Sequence, residues 1–595
     1  MTRPPQQEAA APARFTRTLR GWLRGRRLFY LIGGVVLAVC ARVLRAMEHP
    51  WEGKTALRIE KGYDWIGVDY LRFYGFWIGV GVTTVLGLFV LTARWWWPRA
   101  NAAPPPGSPD DNGEPGASRD AAGSRSSRAV WLCLGGIVLL ATALRVMQVD
   151  RLVLRDEQDS LRYHVSGFFE RDVHTGEPVF REVTWPDAFA WNPGGNNPVL
   201  MSVSARASLA LWQKFAGKGP EFANRLAMRM PALLAGIAAI AAIWWFVSRF
   251  AGQRAALVTA FIAAVHPYLI THSLEMRGYP FVLLAAPLAL GFALLALRHG
   301  CWRHWVGLGA SLFVMLSAYL GSAFFALPLA LGSLGILAAR LRGSGGDPAL
   351  AARAGRDLWR LLLVGVVTFA LYVQFEGPSV ICFYDHREKF PWVFRMRLNW
   401  WLTFWTENTT GRLFNRGGNA DSDAAVFLAK LRETPVYWML ATVMLALAGA
   451  GLARLWREKA DRATAILISA VALSPFIQVM AHAFILHRVL FFYYLIYWAP
   501  VFLALVALGL DGVANAVARR WFPAQSHAAG AAVICLFLGF FVWKAPAPLA
   551  VLMKKPLHQN GPVVIDRGKS HWIVYPEGRM IRISKEEPVP ETFPW

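Results

Sequence analysis

The sequence predicts an all-α polytopic membrane protein of about 13 transmembrane helices, with two long outer loops and a small β-containing C-terminal tail. Three observations predict it. Of 595 residues 55% are hydrophobic and only 17% charged, with 27 Trp and 37 Phe, a composition too apolar for a soluble chain of several domains. Apolar runs long enough to cross a bilayer recur along the chain. Lys and Arg gather between alternate runs, as they do where basic residues stay on the cytoplasmic side. The net charge of +24 has that origin, and because no basic stretch is interleaved with aromatics on a soluble module, nucleic acid is not expected as a partner.

Residues 1–27 are a Pro- and Ala-rich arm ending in Arg14, Arg17, Arg20, Arg24, Arg26 and Arg27. The span that follows from Leu28 should therefore leave the arm in the cytoplasm. The RRLFYL string has the look of a twin-arginine export signal, but no small-residue cleavage site follows, so it reads as an anchor. A second span at about 73–93 completes a hairpin. Residues 94–128 are rich in Pro, Gly, Ser and Asp without apolar period, as expected of a disordered cytoplasmic linker. The division is then 1–93 arm and hairpin, 94–128 linker, 129–510 membrane core, and 511–595 last span with an outer tail.

Core spans fall at about 129–147, 226–247, 254–272, 279–297, 304–320, 321–340, 359–375, 436–454, 463–485, 489–510 and 528–543. With the amino terminus inside, the connections that begin at Arg94, Arg249, Arg298, Arg340, Arg454 and Asp511 are cytoplasmic, and they carry the basic residues. The outer face receives loop 148–225, loop 377–434, the tail from about Lys544, and short turns reading SLEMRGYPF, SAYLGSAF and ILHRVLFFYY. Cys40, Cys133, Cys301 and Cys535 lie in or beside apolar segments and Cys382 in a loop, which gives neither a disulfide framework nor zinc spacing.

Four polar constellations share the outer face. The first is RDEQDSLRYH after the third span, where Asp156, Glu157 and Asp159 crowd together beside Arg162 and Tyr163. On a helix Asp156, Asp159 and Tyr163 share a face and Arg162 reaches Asp159. Crowded carboxylates raise one another's pKa and can serve as a base or hold a divalent metal; the competing reading is the solvated start of an interfacial helix. The second is WNPGGNNPVL, with Asn196 and Asn197, a turn leading into an amphipathic helix that sets Leu200, Val203, Ala207 and Leu211 toward lipid and Ser202, Arg206 and Gln213 toward water. The third is Glu275, Arg277 and Tyr279 at an outer mouth, where an Arg suits a phosphate. The fourth is His487 and Arg488 before FFYYLIYWAP. Snorkelling cations and an aromatic belt explain the last two equally well.

The order of these motifs, DE with a following RY, then NNP, RMPALLAG, EMRGY, AYLGSAFF, and an Arg before YYLIYWAP, resembles the C-type glycosyltransferase superfamily over about residues 129–510. The branch it resembles most is that of the bacterial protein-mannosyltransferase-like and aminoarabinose-transferase-like enzymes. The resemblance implies a membrane enzyme that takes a sugar from a polyprenyl-phosphate donor on the outer face and passes it to an envelope lipid, glycan or protein acceptor. It assigns Asp156, with Glu157 beside it, to the first-loop acid. It assigns Glu275, Arg277 and Tyr279, with His487 and Arg488, to the donor phosphate. Asp159, Arg162, Tyr163, Asn196 and Asn197 become acceptor or loop contacts. Two departures stand out: Asn196-Asn197-Pro198-Val199 replaces the relatives' frequent NHPP, and Tyr319-Leu320-Gly321 replaces Tyr-Thr-His. No cofactor is certain, and a divalent metal is left open.

Such a donor carries its own leaving group, so the chemistry needs a base, positive charge for the departing phosphate and a groove open to lipid. One displacement at the anomeric carbon inverts it. The alternative class is a transporter or flippase of lipid-linked sugars, which usually carries ionisable residues at mid-membrane depth or related halves. The spans here are almost free of central charges and show no repeat.

In the tail, VVID, WIVY and MIRI favour strands, with a PEG turn between the last two. Some fifty residues with so few apolar positions cannot fold firmly alone, so a small hairpin docked on the outer loops is expected. Lys544, Lys554 and Lys555 pull against an outer location under the charge rule.

Overall fold

The computed structural model describes residues 26–93, 128–149, 155–172, 174–194, 197–345, 347–386, 398–411, 429, 432–457, 462–487, 490–545, 563–567, 570–574, 580–588 and 590. Two compact units divide the chain at Gly123 and Ser124. The arm and most of the expected linker lie outside the described residues.

The first unit is a helical hairpin of α1 (Arg26–Ala46) and α3 (Gly67–Leu91), with a short α2 (Gly53–Glu60) in the turn. The second helix starts six residues ahead of the apolar run because Asp69 caps it. Its carboxylate accepts from the Ile66 amide (3.0 Å) and the Thr55 hydroxyl (2.9 Å). That ties α2 to α3 and lets a 1% exposed acid stay hydrogen-bonded.

The second unit carries α4 (Arg128–Val146), α5 (Arg155–Ser160), β1 (Gly167–Arg171), β2 (Pro178–Glu182), α6 (Trp185–Ala190), α7 (Val199–Ala216), α8 (Arg225–Ser248), α9 (Gly252–Val265) and α10 (Pro267–His272). It continues through α11 (Tyr279–His299), α12 (Trp302–Ala318), α13 (Ala323–Arg342), α14 (Pro348–Asp385), α15 (Leu398–Thr410) and α16 (Pro435–Arg457). It closes with α17 (Arg462–Ala472), α18 (Ser474–Ala481), α19 (Ala499–Trp521), α20 (Ser526–Lys544), β3 (Val563–Arg567), β4 (Ser570–Val574) and β5 (Met580–Ser584).

Among the described residues of the two units together, 11 helices are long and apolar enough to cross a membrane. Two of the 13 expected spans fall short. Pro267, which has no amide hydrogen, ends α9 after 14 residues. Extended backbone at Tyr319 (φ −160°) ends α12 after 17. The expected loop 377–434 also starts later, since α14 runs on to Asp385 and carries Cys382, and α15 occupies its centre. At the other end of the core, α19 runs past Asp511 to Trp521.

Basic residues assigned to the inner face do meet at one end of the bundle. Asp511 takes Arg254 Nε (3.4 Å) and Arg454 Nη1 (3.0 Å). Arg298 donates to the Arg249 carbonyl (2.7 Å) and Arg353 to that of Arg298 (2.9 Å).

The tail has three strands where a docked hairpin was expected. Its three strands join the hairpin of the first long loop in one five-stranded sheet, ordered β2-β1-β5-β4-β3. The β1–β5 neighbours are parallel and the other pairs antiparallel. Loop 148–225 and the tail therefore share a face of the membrane, as the alternation of spans required and the tail lysines did not.

In α7 the buried face is Val199, Met201, Ser202, Ala205 and Leu209, packed toward Met228 and Ala232 of α8. Ser202 accordingly points inward rather than to water, at 1% exposure, while Ala207 and Leu211 stay exposed on the outer side.

Candidate active site

The first loop enters the site through α5, which continues as a π-helical turn, Leu161–Val165. Glu157 is 1% exposed and uses both carboxylate oxygens. Arg229 of α8 donates to them from Nε (3.1 Å to Oε1) and Nη2 (2.7 Å to Oε2), and the Met276 amide donates to Oε1 (2.8 Å). The remaining Arg229 nitrogen, Nη1, reaches the Val149 carbonyl (2.8 Å). The buried Glu157–Arg229 pair thus joins α5 to the stretch just after the third span, the start of α8 and the turn before α11. A two-pronged charge-assisted pair of this kind tolerates burial because both partners are satisfied. Asp156 sits beside it in α5, with its side chain outside the described residues.

Asp159 pairs with Arg162, as the three-residue spacing predicted. The Arg162 guanidinium lies 4.3 Å from the Tyr163 ring centroid. His164 follows, 3% exposed. Burial pushes its imidazole down to about 3, and the charges of Arg162 and Arg277 push the same way against two backbone hydrogen bonds. His164 therefore lies buried where Arg162 of the first loop and Arg277 of the turn both come within electrostatic reach.

That turn, Ser273–Gly278, leaves α10 and enters α11. Arg145 of α4 anchors it, donating from Nε to Ser273 Oγ (2.9 Å) and from Nη1 to the Ala264 carbonyl (3.2 Å). Glu275 meets His272 Nδ1 (3.0 Å). Arg277 is 6% exposed; it donates to the Tyr279 hydroxyl (3.3 Å) and lies 5.6 Å from that ring's centroid. Between them only glycine fits, because a Cβ on Gly278 would run into the Ala318 carbonyl that ends α12.

Around this turn aromatic rings from four segments meet. Tyr279 lies 5.6 Å from His272, 6.2 Å from Tyr319 and 5.7 Å from Tyr493, centroid to centroid. Gln478 bonds two phenols, accepting from Tyr497 (2.7 Å) and donating to Tyr319 (3.4 Å). The strings AYLGS and YYLIYW, far apart in sequence, therefore wall one site together with EMRGY. His487 is exposed, with a left-handed backbone (φ 49°). Arg488 lies outside the described residues.

Asn197 is part of the loop's own framework. Its amide donates to Asn192 Oδ1 (3.0 Å), and its side chain donates to the carbonyls of Ala188 (3.0 Å) and Trp191 (3.2 Å). Asn192 in turn reaches Ser379 Oγ (3.1 Å) on α14. Asn196 lies outside the described residues.

Several residues that matter here are absent from the sequence-based set. Arg229 opens the RMPALLAG string and Arg145 lies near the end of the third span, and neither is given a role there. His272 and His164 gave no pattern. Glu407 of α15 is 1% exposed, and burial raises its carboxyl well above the usual range, with the charge of Glu275 adding to it. A lone acid within LNWWLTFWTENTT was the signal that could have found it. Among the described residues no group of three or more His, Cys, Asp or Glu could hold a metal ion, so the divalent metal left open by the sequence has no ligand set there.

Residues 221–343, from the approach to α8 to the end of α13, match the family model described as dolichyl-phosphate-mannose-protein mannosyltransferase. No curated protein matches the chain. Solved structures similar to it include the oligosaccharyltransferase AglB of Archaeoglobus fulgidus with an inhibitory peptide and a dolichol-phosphate, at 15% identity and TM-score 0.40, covering 72% of this chain and 56% of that one. Another is ArnT of Cupriavidus metallidurans in the apo state, at 16% identity and TM-score 0.40, covering 72% and 78%. A third is the arabinosyltransferase EmbB of Mycobacterium smegmatis, at 13% identity and TM-score 0.42, covering 80% and 44%. This chain thus spans about half the length of the archaeal protein it is compared with. The family match takes in Arg229, Glu275, Arg277, Tyr279 and Tyr319, and it lies within the stretch 129–510 whose motif order resembles the C-type glycosyltransferases.

Proposed function

We propose that this protein is an inverting membrane glycosyltransferase of the cytoplasmic membrane. It moves a sugar from a polyprenyl-phosphate donor to an envelope lipid, glycan or protein acceptor on the periplasmic or extracellular face. The observation that carries the reading is the Glu157 junction, which fastens the acidic first loop to the Arg277 turn. A loop suited to hold the acceptor and a turn suited to hold a phosphate are thereby brought to one place.

In this mechanism the acceptor hydroxyl or amine loses its proton to Asp156 and attacks the anomeric carbon from the face opposite the phosphate. The new bond forms as the carbon–oxygen bond to the phosphate breaks, and the electron pair leaves with the polyprenyl phosphate. Arg277 faces the departing anion with a planar, always charged fork, and Arg162 adds a second guanidinium from the first loop, within electrostatic reach of His164 as Arg277 is. Glu157 holds the two halves in register.

The test is release of lipid phosphate. Purified protein in lipid nanodiscs, given polyprenyl-phosphate mannose and an extract of envelope acceptors, should release polyprenyl phosphate in step with glycosylated acceptor. Movement of intact donor across a bilayer without release would identify a transporter instead.

A further inference from the structure

The last strand of the C-terminal tail reaches the site's supporting layer. Met580, the first residue of β5, is 2% exposed and packs in one apolar cluster with Leu161, Val165, Met228 and Met276. Leu161 and Val165 bound the turn that carries Arg162 and His164, and Met276 is the residue whose amide Glu157 holds. Met580 thus shares one buried cluster with residues on both sides of the Glu157 junction.

How the strand is held points the same way. It pairs in parallel with β1 at two positions, Phe169 with Ile581 and Glu170 with Arg582. Arg582 Nη1 lies 3.5 Å from Glu170, and Arg171 Nε 3.6 Å from Glu587. Ile573, Ile581 and Ile583 bury against Phe169. β1 opens at Gly167, directly after Ser166, whose amide closes the π turn on the Leu161 carbonyl (2.8 Å). At Gly167 φ is +132°, and a Cβ there would meet the Arg181 carbonyl, so only glycine fits this link. The strand that pairs with β5 is thus directly continuous with the turn.

We propose that the tail is a clamp on the active site, with Met580 as a positioning residue that seats the Leu161–Val165 turn against Met276. It rests on the transferase reading above, in which the first loop presents the base. Chemistry that needs two groups in register loses up to about a hundredfold when a distant change misplaces one of them by about 1 Å. The Arg277 turn is held besides by Arg145 at Ser273 and by Glu157 at the Met276 amide, so the loss is expected in turnover rather than in the donor KM.

The experiment compares the full chain with Met580→Asp, Met580→Ala and Met580→Leu. Transfer from polyprenyl-phosphate mannose is measured beside hydrogen exchange of the amides from 161 to 171. The clamp predicts that the Asp variant turns over at least about tenfold more slowly, with unchanged donor KM and faster exchange across 161–171, and that Leu restores both. Should the Asp variant fail to fold, Ala carries the comparison with a smaller drop in the same direction. Wild-type turnover in the Asp or Ala variant, or a slowed rate with no change in exchange, overturns the proposal. If the wild type transfers no sugar, the transferase reading fails, and the exchange comparison still decides whether Met580 seats the turn.

Discussion

Arg229 and Glu157 face one another across 72 residues of sequence as a two-pronged ion pair, 2.7 Å between Nη2 and Oε2, exposed to only 2% and 1%. Removing one partner of such a pair leaves an uncompensated buried charge and costs about 3–5 kcal/mol. Arg229→Ala should therefore lower the thermal midpoint by several degrees and abolish transfer. Arg229→Met combined with Glu157→Gln should recover most of the stability and none of the activity. A single variant with the wild-type unfolding temperature would show that the pair does not hold the loop.

Arg277 supplies a planar donor set beside Tyr279. If it receives the donor phosphate, Arg277→Lys should bind polyprenyl phosphate about tenfold more weakly despite keeping the charge, because an ammonium offers no fork. Binding of the lipid phosphate, followed by intrinsic fluorescence, decides it. Equal affinities for wild type, Lys and Ala variants would make Arg277 a snorkelling cation only.

His164 gives the loop a pH dependence whose sign is fixed. Its folded-state value of about 3 lies below the ordinary 6.5, so above pH 6.5 the imidazole is neutral in both states and its contribution is complete. As pH falls from about 6.5 toward 3, the opened loop takes up a proton that the closed loop refuses, and stability drops by up to about 1.4 kcal/mol per pH unit. Hydrogen exchange of the 161–165 amides should accelerate over that window beyond its intrinsic pH trend. His164→Gln should flatten the excess. The same acceleration in the Gln variant would place the titrating group elsewhere.

Most of the helical plan was legible because length and hydropathy dominate in a membrane, where every backbone group must bond within its own helix. The gathering of arginines at one end of the bundle was legible from the charge pattern between spans, and Arg254 and Arg454 do converge on Asp511. Pairings set by tertiary context were not. Glu157 reads like one of three interchangeable acids until Arg229 and the Met276 amide are seen to hold it. The parallel pairing of β1 with β5 joins residues some four hundred positions apart, which no local pattern encodes. Asn197, expected to contact acceptor or loop, holds the loop's own carbonyls, since a buried amide must satisfy its donors.

The central claim is that chemistry occurs where α5 meets the Arg277 turn, with Asp156 taking the acceptor's proton. The most direct measurement is single-turnover transfer by Asp156→Asn beside its affinity for polyprenyl-phosphate mannose. Loss of a positioned base predicts a rate lower by about a hundredfold to ten-thousandfold with donor affinity intact. A rate within about twofold of wild type contradicts it and removes Asp156 from the mechanism.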